Sequence, residues 1–187
     1  MTSRKRQERQ SVARFNFSTG SQPDSGHHSF HIRIDRHGIW HYRGSPINRQ
    51  ELVCLFASLL TRQADGSYWL VTPGEAGWID VEDVPFIAVE MFVAGHGRKQ
   101  CVSLRTNVDE IITVDRLHPL RMTAGSASGE AVPYVTVRNG LEARLSRAVF
   151  YELVAVGVEE KREAGSLFGI WSSEAFFPLG RLDSTIS

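Results

Sequence analysis

From Arg138 to Arg147 the chain reads Arg-Asn-Gly-Leu-Glu-Ala-Arg-Leu-Ser-Arg, which gathers Arg138, Glu142, Arg144, Ser146 and Arg147 into one short stretch. A guanidinium is a planar fork matched to phosphate or carboxylate, so arginines at this density suit an anion. Ser146 precedes an apolar-periodic run and is placed to cap a helix, where free N–H groups and the helix dipole favour negative charge. Arg144 and Arg147 would flank that helix start. With Leu141–Leu145 extended, Arg138, Glu142 and Arg144 come close enough to form one network. That network has two uses. It can receive an anionic ligand, with Glu142 orienting the arginines or accepting a ribose hydroxyl and Trp171 stacking on a base. Alternatively, Glu142 pairs with an arginine and braces the hairpin while Ser146 does no more than cap. Ser45 and Arg49 repeat the theme at the first helix, where a solvated arginine is the plainer reading. Thr72, in the loop Thr72-Pro73-Gly74-Glu75, and the Glu82-Asp83 pair offer ligand contacts from loops, though turn formation uses the same groups.

Catalytic signatures are missing from the sequence. There is no GxSxG elbow, no GxxxxGK[ST] phosphate loop, no GxGxxG after a first strand and no HExxH. Cys54 falls on an apolar helical stripe, a poor place for a nucleophile, and Cys101 falls in a strand-like segment. Both read as small buried hydrophobes with reduced thiols. His27, His28 and His31 cluster, but no cysteine or carboxylate sits at ligand spacing beside them. His118, before Pro119, reads as a packed or loop histidine. The expectation is a noncatalytic protein with no metal and no cofactor.

The elements that must position these groups are short. Strict alternation makes a strand that buries Phe30, Ile32 and Ile34; Arg36-His37-Gly38 turns it, and Ile39–Tyr42 returns. Ser45 as N-cap and Pro46 in the first helical position start a helix with the stripe Leu52, Leu55, Phe56 and Leu59, thickened by Val53 and Leu60. Further strands are expected at Tyr68–Thr72, Trp78–Val81, Phe86–Val93, Cys101–Thr106, Glu110–Val114, Tyr134–Arg138, Leu141–Leu145 and Leu167–Trp171. A second helix follows Ser146, with the stripe Val149, Phe150, Leu153 and Val154 and with Gly157 at C′. The charged Glu159–Glu163 run reads as a solvated loop, and Phe176–Leu179 as an apolar closing segment.

At 187 residues and 42% apolar content the chain can build a substantial core, and 21 basic against 21 acidic residues give no overall pull towards nucleic acid or membrane. No apolar run is long enough to cross a bilayer, and the basic, polar N-terminus lacks the apolar core of a secretory signal. The expected location is the cytoplasm. Residues 1–28 read as a flexible basic tail that no second basic patch continues, so nucleic acid is not the expected partner. The folded part divides into α+β halves at 29–122 and 123–182, with a tail at 183–187, and the Thr123–Glu130 stretch serves as a linker or a long hairpin loop. The two halves can be laid over one another. His37-Gly38-Ile39 answers Asn139-Gly140-Leu141, Ser45 answers Ser146, and Gly66-Ser67 answers Gly165-Ser166. This predicts a duplicated strand–turn–strand–helix unit in mostly antiparallel sheets, with one main helix per half and a groove between the copies.

Four separated stretches carry a resemblance: GSPINRQELVCLFASLL, YWLVTPGEAGWIDVEDVPF, VRNGLEARLSRAVFYELV and GIWSSEAFFPLG. In these, from about Phe30 to Gly180, the chain resembles a bacterial family catalogued as domain of unknown function 1285. His37 stands where that family more often shows Asp before the turn glycine, and both residues suit a turn. The resemblance implies an α+β fold with a duplicated core and a C-terminal half that looks like a pleckstrin-homology domain. It also implies a small, nucleotide-like ligand bound between the halves and a part in signal transduction, with no established activity. The expected partner is thus an anionic small molecule. A protein partner recruited through open sheet edges or the Phe176-Phe177 segment is the alternative, and an enzyme with an unfamiliar site is the third reading.

Overall fold

The computed structural model describes residues 28–124, 131–163 and 165–182. The tail readings, His27 of the histidine cluster and residues 125–130 of the Thr123–Glu130 connection lie outside the described residues.

Among the described residues three sheets and two α-helices make an α+β, mostly β fold. The first sheet grows from the alternating segment. β1 (His28–Ile34) buries Phe30, Ile32 and Ile34 and turns at Gly38 into β2 (Trp40–Tyr42). The next turn departs from expectation. Arg43 and Gly44 both take positive φ, +49° and +84°, the backbone of a two-residue hairpin. Ser45–Pro46 therefore pairs back on Tyr42 and His41 as β3 rather than opening the helix. α1 runs from Gln50 to Leu59 with Arg49 as its N-cap and no side-chain cap bond. β4 (Leu60–Arg62), β5 (Tyr68–Val71) and β6 (Ala76–Val81) follow as an antiparallel meander, and β6 closes on β1 in parallel. The sheet order is β3-β2-β1-β6-β5-β4. α1 buries Val53, Phe56 and Ala57, and Leu60 just beyond is buried too; Leu52 and Leu59 pack at its flank and Leu55 is 39% exposed. The stripe is centred one residue along from the predicted one because the Cys54 side of the helix turns towards the second sheet.

The second sheet combines β7 (Phe86–Ala94), β8 (Cys101–Thr106), β9 (Ile111–Thr113), β10 (Leu120–Ala124), β11 (Ala131–Arg138) and β12 (Leu141–Leu145) in the order β10-β11-β12-β7-β8-β9. Asn139 and Gly140, both at positive φ, make the predicted tight turn between β11 and β12. β12 pairs in parallel with β7, so each large sheet holds one parallel pair within a mainly antiparallel ladder. The change of sheet falls between Val81 and Phe86, whereas the expected 122/123 division falls within β10, which pairs with β11 in one sheet.

Ser146 caps α2 (Arg147–Ala155) as expected, its hydroxyl accepting from the Val149 N–H at 3.3 Å. Val149 and Leu153 are buried, and Val154 is exposed. Gly157 follows the C-cap residue Val156, but its need for glycine is spatial: a Cβ there would lie 2.3 Å from the Phe168 ring. The third sheet is β13 (Val158–Arg162), β14 (Gly165–Ser172) and β15 (Ala175–Leu182), in that order. The charged run expected as a loop is thus an edge strand, where exposed charge guards an open ladder. Ser172 ties this sheet to the second, accepting from the Val102 N–H at 3.0 Å and donating to the Val114 carbonyl at 2.6 Å. One apolar cluster, from Phe30 to Leu179, runs through all three sheets. No helix among the described residues is long and apolar enough to cross a membrane.

Candidate functional site

The groups of interest lie where the first sheet and α1 meet the second sheet. Gly38, at φ +76°, brings its backbone so close that a Cβ would stand 2.6 Å from Ile87 Cγ1 and 2.8 Å from Asn107 Nδ2. Asn107 donates to the Gly38 carbonyl at 3.0 Å and accepts from the Ile87 N–H at 2.9 Å. Gln50, in the first turn of α1, donates to the Asn107 carbonyl at 2.9 Å, and the Cys54 thiol donates to the Val108 carbonyl at 3.4 Å. The β8–β9 turn is therefore held between the first hairpin and α1. Sequence reasoning missed Gln50 and Asn107, because an asparagine between two strands signals a turn and nothing about a partner elsewhere in the chain.

Beside this contact opens a pocket of about 300 Å³, walled by Cys54, Ala57 and Ser58 of α1, by Val108, Asp109 and Glu110 of the β8–β9 turn, and by Arg138 at the end of β11. Arg138 forms an ion pair with Glu110, donates to the Ala57 carbonyl at 2.6 Å and lies over the Phe86 ring at 5.4 Å. Asp109 pairs with Arg105 at 2.9 Å. Burial pushes the Cys54 thiol above its ordinary range, and the charges of Asp109 and Glu51 add to the shift. A thiol held protonated is a weak nucleophile, so the pocket has no evident covalent chemistry.

Glu142 and Arg144 share a face of β12 but belong to a different network. Glu142, only 14% exposed, takes a bidentate pair from Arg121 at 2.6 and 2.7 Å. Arg121 lies over the Tyr134 ring at 4.3 Å, the Tyr134 hydroxyl donates to Asp83 at 3.0 Å, and Asp83 faces Arg144 at 3.4 Å. Arg144 also donates to the Arg36 carbonyl of the first hairpin. Burial raises the Tyr134 phenol, and its bond to Asp83 raises it further. The single network expected of Arg138, Glu142 and Arg144 is two, because Arg138 pairs with Glu110 and reaches Ala57 instead. Asp83 serves the second network as a bridge between halves, a part its place in an acidic pair did not foretell.

The remaining predicted residues scatter. Arg147 is exposed on the first turn of α2. Trp171 lies in the third sheet, with Arg98 over its ring at 4.6 Å and Phe176 at 5.5 Å. Ser45 is exposed in β3, and Arg49 is exposed at the N-cap of α1. The Thr72 hydroxyl donates to the Glu75 carbonyl at 2.9 Å and accepts from the Glu75 N–H at 3.0 Å, which closes the Thr72–Glu75 turn. His28 bonds Glu75 at 2.6 Å and His118 bonds Asp115 at 3.0 Å. Among the described residues no group of three His, Cys, Asp or Glu side chains is placed to hold a metal ion.

Comparison with known proteins accounts for nearly the whole described chain. Residues 22–84 match the family described as "Domain of unknown function (DUF1285), N-terminal domain", and residues 85–179 match "Protein of unknown function (DUF1285), C-terminal domain". No curated protein matches the chain. Among solved structures, a DUF1285 family protein from Silicibacter pomeroyi DSS-3 is 43% identical, with 87% of this chain and 85% of that chain covered at a TM-score of 0.77. A DUF1285 family protein from Shewanella baltica OS155 is 26% identical, with 66% of this chain and 90% of that chain covered at a TM-score of 0.53. The boundary between the two matched regions, at residues 84 and 85, coincides with the passage from the first sheet to the second. The chain belongs to the DUF1285 family, with both its N-terminal and its C-terminal domain.

Proposed function

We propose that the protein is a noncatalytic, sensory ligand-binding module that holds a small molecule with an anionic, nucleotide-like group in the pocket between its halves, and that occupancy is read out in signal transduction. The observation that carries this reading is Arg138. It stands in the pocket wall at the end of a strand of the second half and reaches a carbonyl of α1 in the first. A ligand carboxylate or phosphate bonded to this guanidinium would touch both halves at once. We read one unit of strand, tight turn, strand, helix and three antiparallel strands as repeated, once as β1, β2, α1 and β4–β6 with the two-residue β3 inserted before the helix, and once as β11, β12, α2 and β13–β15, which β7–β10 precede in the second half. The pleckstrin-homology-like character implied for the C-terminal half belongs to the same proposal. Arg121, Glu142, Arg144 and Asp83 act in it as the brace that fixes the geometry, and not as ligand contacts.

The test is a thermal-shift screen of the full chain against nucleotides and other phosphorylated or carboxylated metabolites, repeated with Arg138→Ala and Arg147→Ala. A ligand at 100 times its Kd raises stability by about 2.7 kcal/mol. The expected result is a shift lost in Arg138→Ala and kept in Arg147→Ala. A panel without any shift, or a hit indifferent to Arg138, overturns the reading. One feature favours a protein-interaction domain as second reading: β9 is an open edge of the second sheet and presents Ile111, 62% exposed. Partner capture abolished by Ile111→Lys, with no small-molecule dependence, would establish it.

A further inference from the structure

The charge balance of the pocket says more about its occupant, given the ligand-binding reading on which this step rests. The lining holds Asp109 and Glu110 against the single guanidinium of Arg138. α1 meets the pocket with its C-terminal turn, contributing Ala57 and Ser58; that turn carries no basic residue of its own, and the guanidinium on its Ala57 carbonyl, at the negative end of the helix dipole, is again that of Arg138. Arg138 is itself already neutralised by Glu110. Of the other charges on the packed elements, Arg105 is shared between Asp109 and Glu90, and Glu51 adds a further negative charge from α1. The upward shift of the Cys54 thiol, to which Asp109 and Glu51 contribute after burial, registers the same sign of field within the pocket. A simple anion entering here would gain one guanidinium that is already paired and face two carboxylates and a helix C-terminus.

We propose that the occupant is a zwitterion about the size of an amino acid, whose anionic group bonds Arg138 while its ammonium group lies against Asp109 and Glu110 at the C-terminal end of α1. Binding then exchanges the internal Arg138–Glu110 pair for two cross pairs, so each charge of the site keeps a partner. The guanidinium has N–H donors beyond those given to Glu110 and Ala57, so the anion can arrive before Glu110 leaves. An ammonium has only donors to offer and suits a wall of carboxylates and carbonyls. A volume of about 300 Å³ is at the small end of ligand pockets, fitting an amino acid or amino sugar better than a whole nucleotide.

The experiment titrates the full chain, by calorimetry and thermal shift, with the standard amino acids and a set of amino-sugar phosphates. Each is matched to its deaminated acid and to the amine lacking the acidic group. At least one zwitterion is expected to bind about tenfold or more tightly than either partner compound, and Asp109→Asn should weaken it without weakening the acid. Asp109 is an exposed residue, so the variant should fold, and the matched compounds test the unaltered protein in any case. Acids that bind as well as their zwitterions, with binding lost in Arg138→Ala, would overturn this inference and leave the anion-binding reading standing. Silence from zwitterions and acids alike would overturn both.

Discussion

Gly38→Ala tests whether the first hairpin is truly seated against the second half. Two costs are separable there. Alanine at φ +76° costs about 1–2 kcal/mol for a left-handed backbone. Its Cβ would also meet Ile87 Cγ1 at 2.6 Å and Asn107 Nδ2 at 2.8 Å, distances at which the neighbours must move. Overpacking of that kind costs about 1–3 kcal/mol more, and displacing Asn107 strains its bonds to Gly38 and Ile87. Gly44 is the internal control, for it sits at φ +84° with nothing within 4 Å of the added atom. Gly44→Ala should therefore show the backbone cost alone, and Gly38→Ala the sum, about 2–5 kcal/mol. In a chain of this size the overpacking difference of about 1–3 kcal/mol separates the melting temperatures of the two variants by about 2–12 °C. Urea unfolding of both variants, together with Gly38→Ala/Ile87→Ala, completes the measurement. Removing Cγ1 from Ile87 should recover part of the Gly38→Ala loss as a favourable coupling. Equal losses in the two glycine variants, with no coupling to Ile87, would refute the docking of the hairpin on β7.

Ser172→Ala should cost about 2–4 kcal/mol by urea unfolding, because it strands the buried Val102 N–H and Val114 carbonyl that the hydroxyl serves; a loss under about 1 kcal/mol would contradict that junction. Arg49→Asp should stabilise the fold by about 0.5–2 kcal/mol, since α1 has an extended N-cap residue without a side-chain bond, and a lower melting temperature would count against the assigned helix start. Burial alone would raise Asp35, but the Ile39 N–H, the His41 side chain and the His37 N–H together hold its carboxyl below the ordinary carboxylate range. Its contribution is thus fully present above the unfolded value near pH 4 and is lost as pH falls through the lower folded value. Asp35→Asn should cost stability at pH 7 and progressively less below about pH 4; a penalty unchanged down to about pH 2 would refute the link.

How much of this was legible in the sequence depended on the range of each interaction. β1, the Asn139-Gly140 turn and the Ser146 cap were readable because alternation, a paired positive φ and a side chain three residues from its N–H are local patterns. Ser45 failed for a local reason too: Arg43-Gly44 forms a two-residue hairpin turn, but arginine is an uncommon first residue for it, and Ser-Pro before a periodic run looks like a helix start. The charged run of β13 failed because an edge strand needs little apolar patterning when its neighbour supplies the ladder. The arginine cluster is legible in the sequence, yet its partners are not. Glu110, Ala57, Asp83 and Arg36 come from elements 28 to 108 residues away, at separations no spacing rule covers.

The long-range character of those contacts is also why the pocket cannot be a property of either half. Its floor depends on the β8–β9 turn, which Gln50 and Gly38 of the first half hold in place through Asn107. Its charged wall depends on Arg138, which the Asn139-Gly140 turn brings to the end of α1, and which Arg62 steadies by donating to the Gly140 carbonyl at 3.1 Å. The Asp83–Tyr134 bond and the Arg144–Arg36 contact tie the same two halves together a second time. A contact set that crosses the boundary this often resists independent motion of the halves, so a ligand bound here, as proposed above, would meet a preformed open pocket and not a cleft that must close. Any signal would then arise from the exchange of the Arg138–Glu110 pair, which changes what holds the β8–β9 turn to β11. The open β9 edge begins at Ile111, the residue after Glu110, and is the nearest surface on which that exchange would be felt.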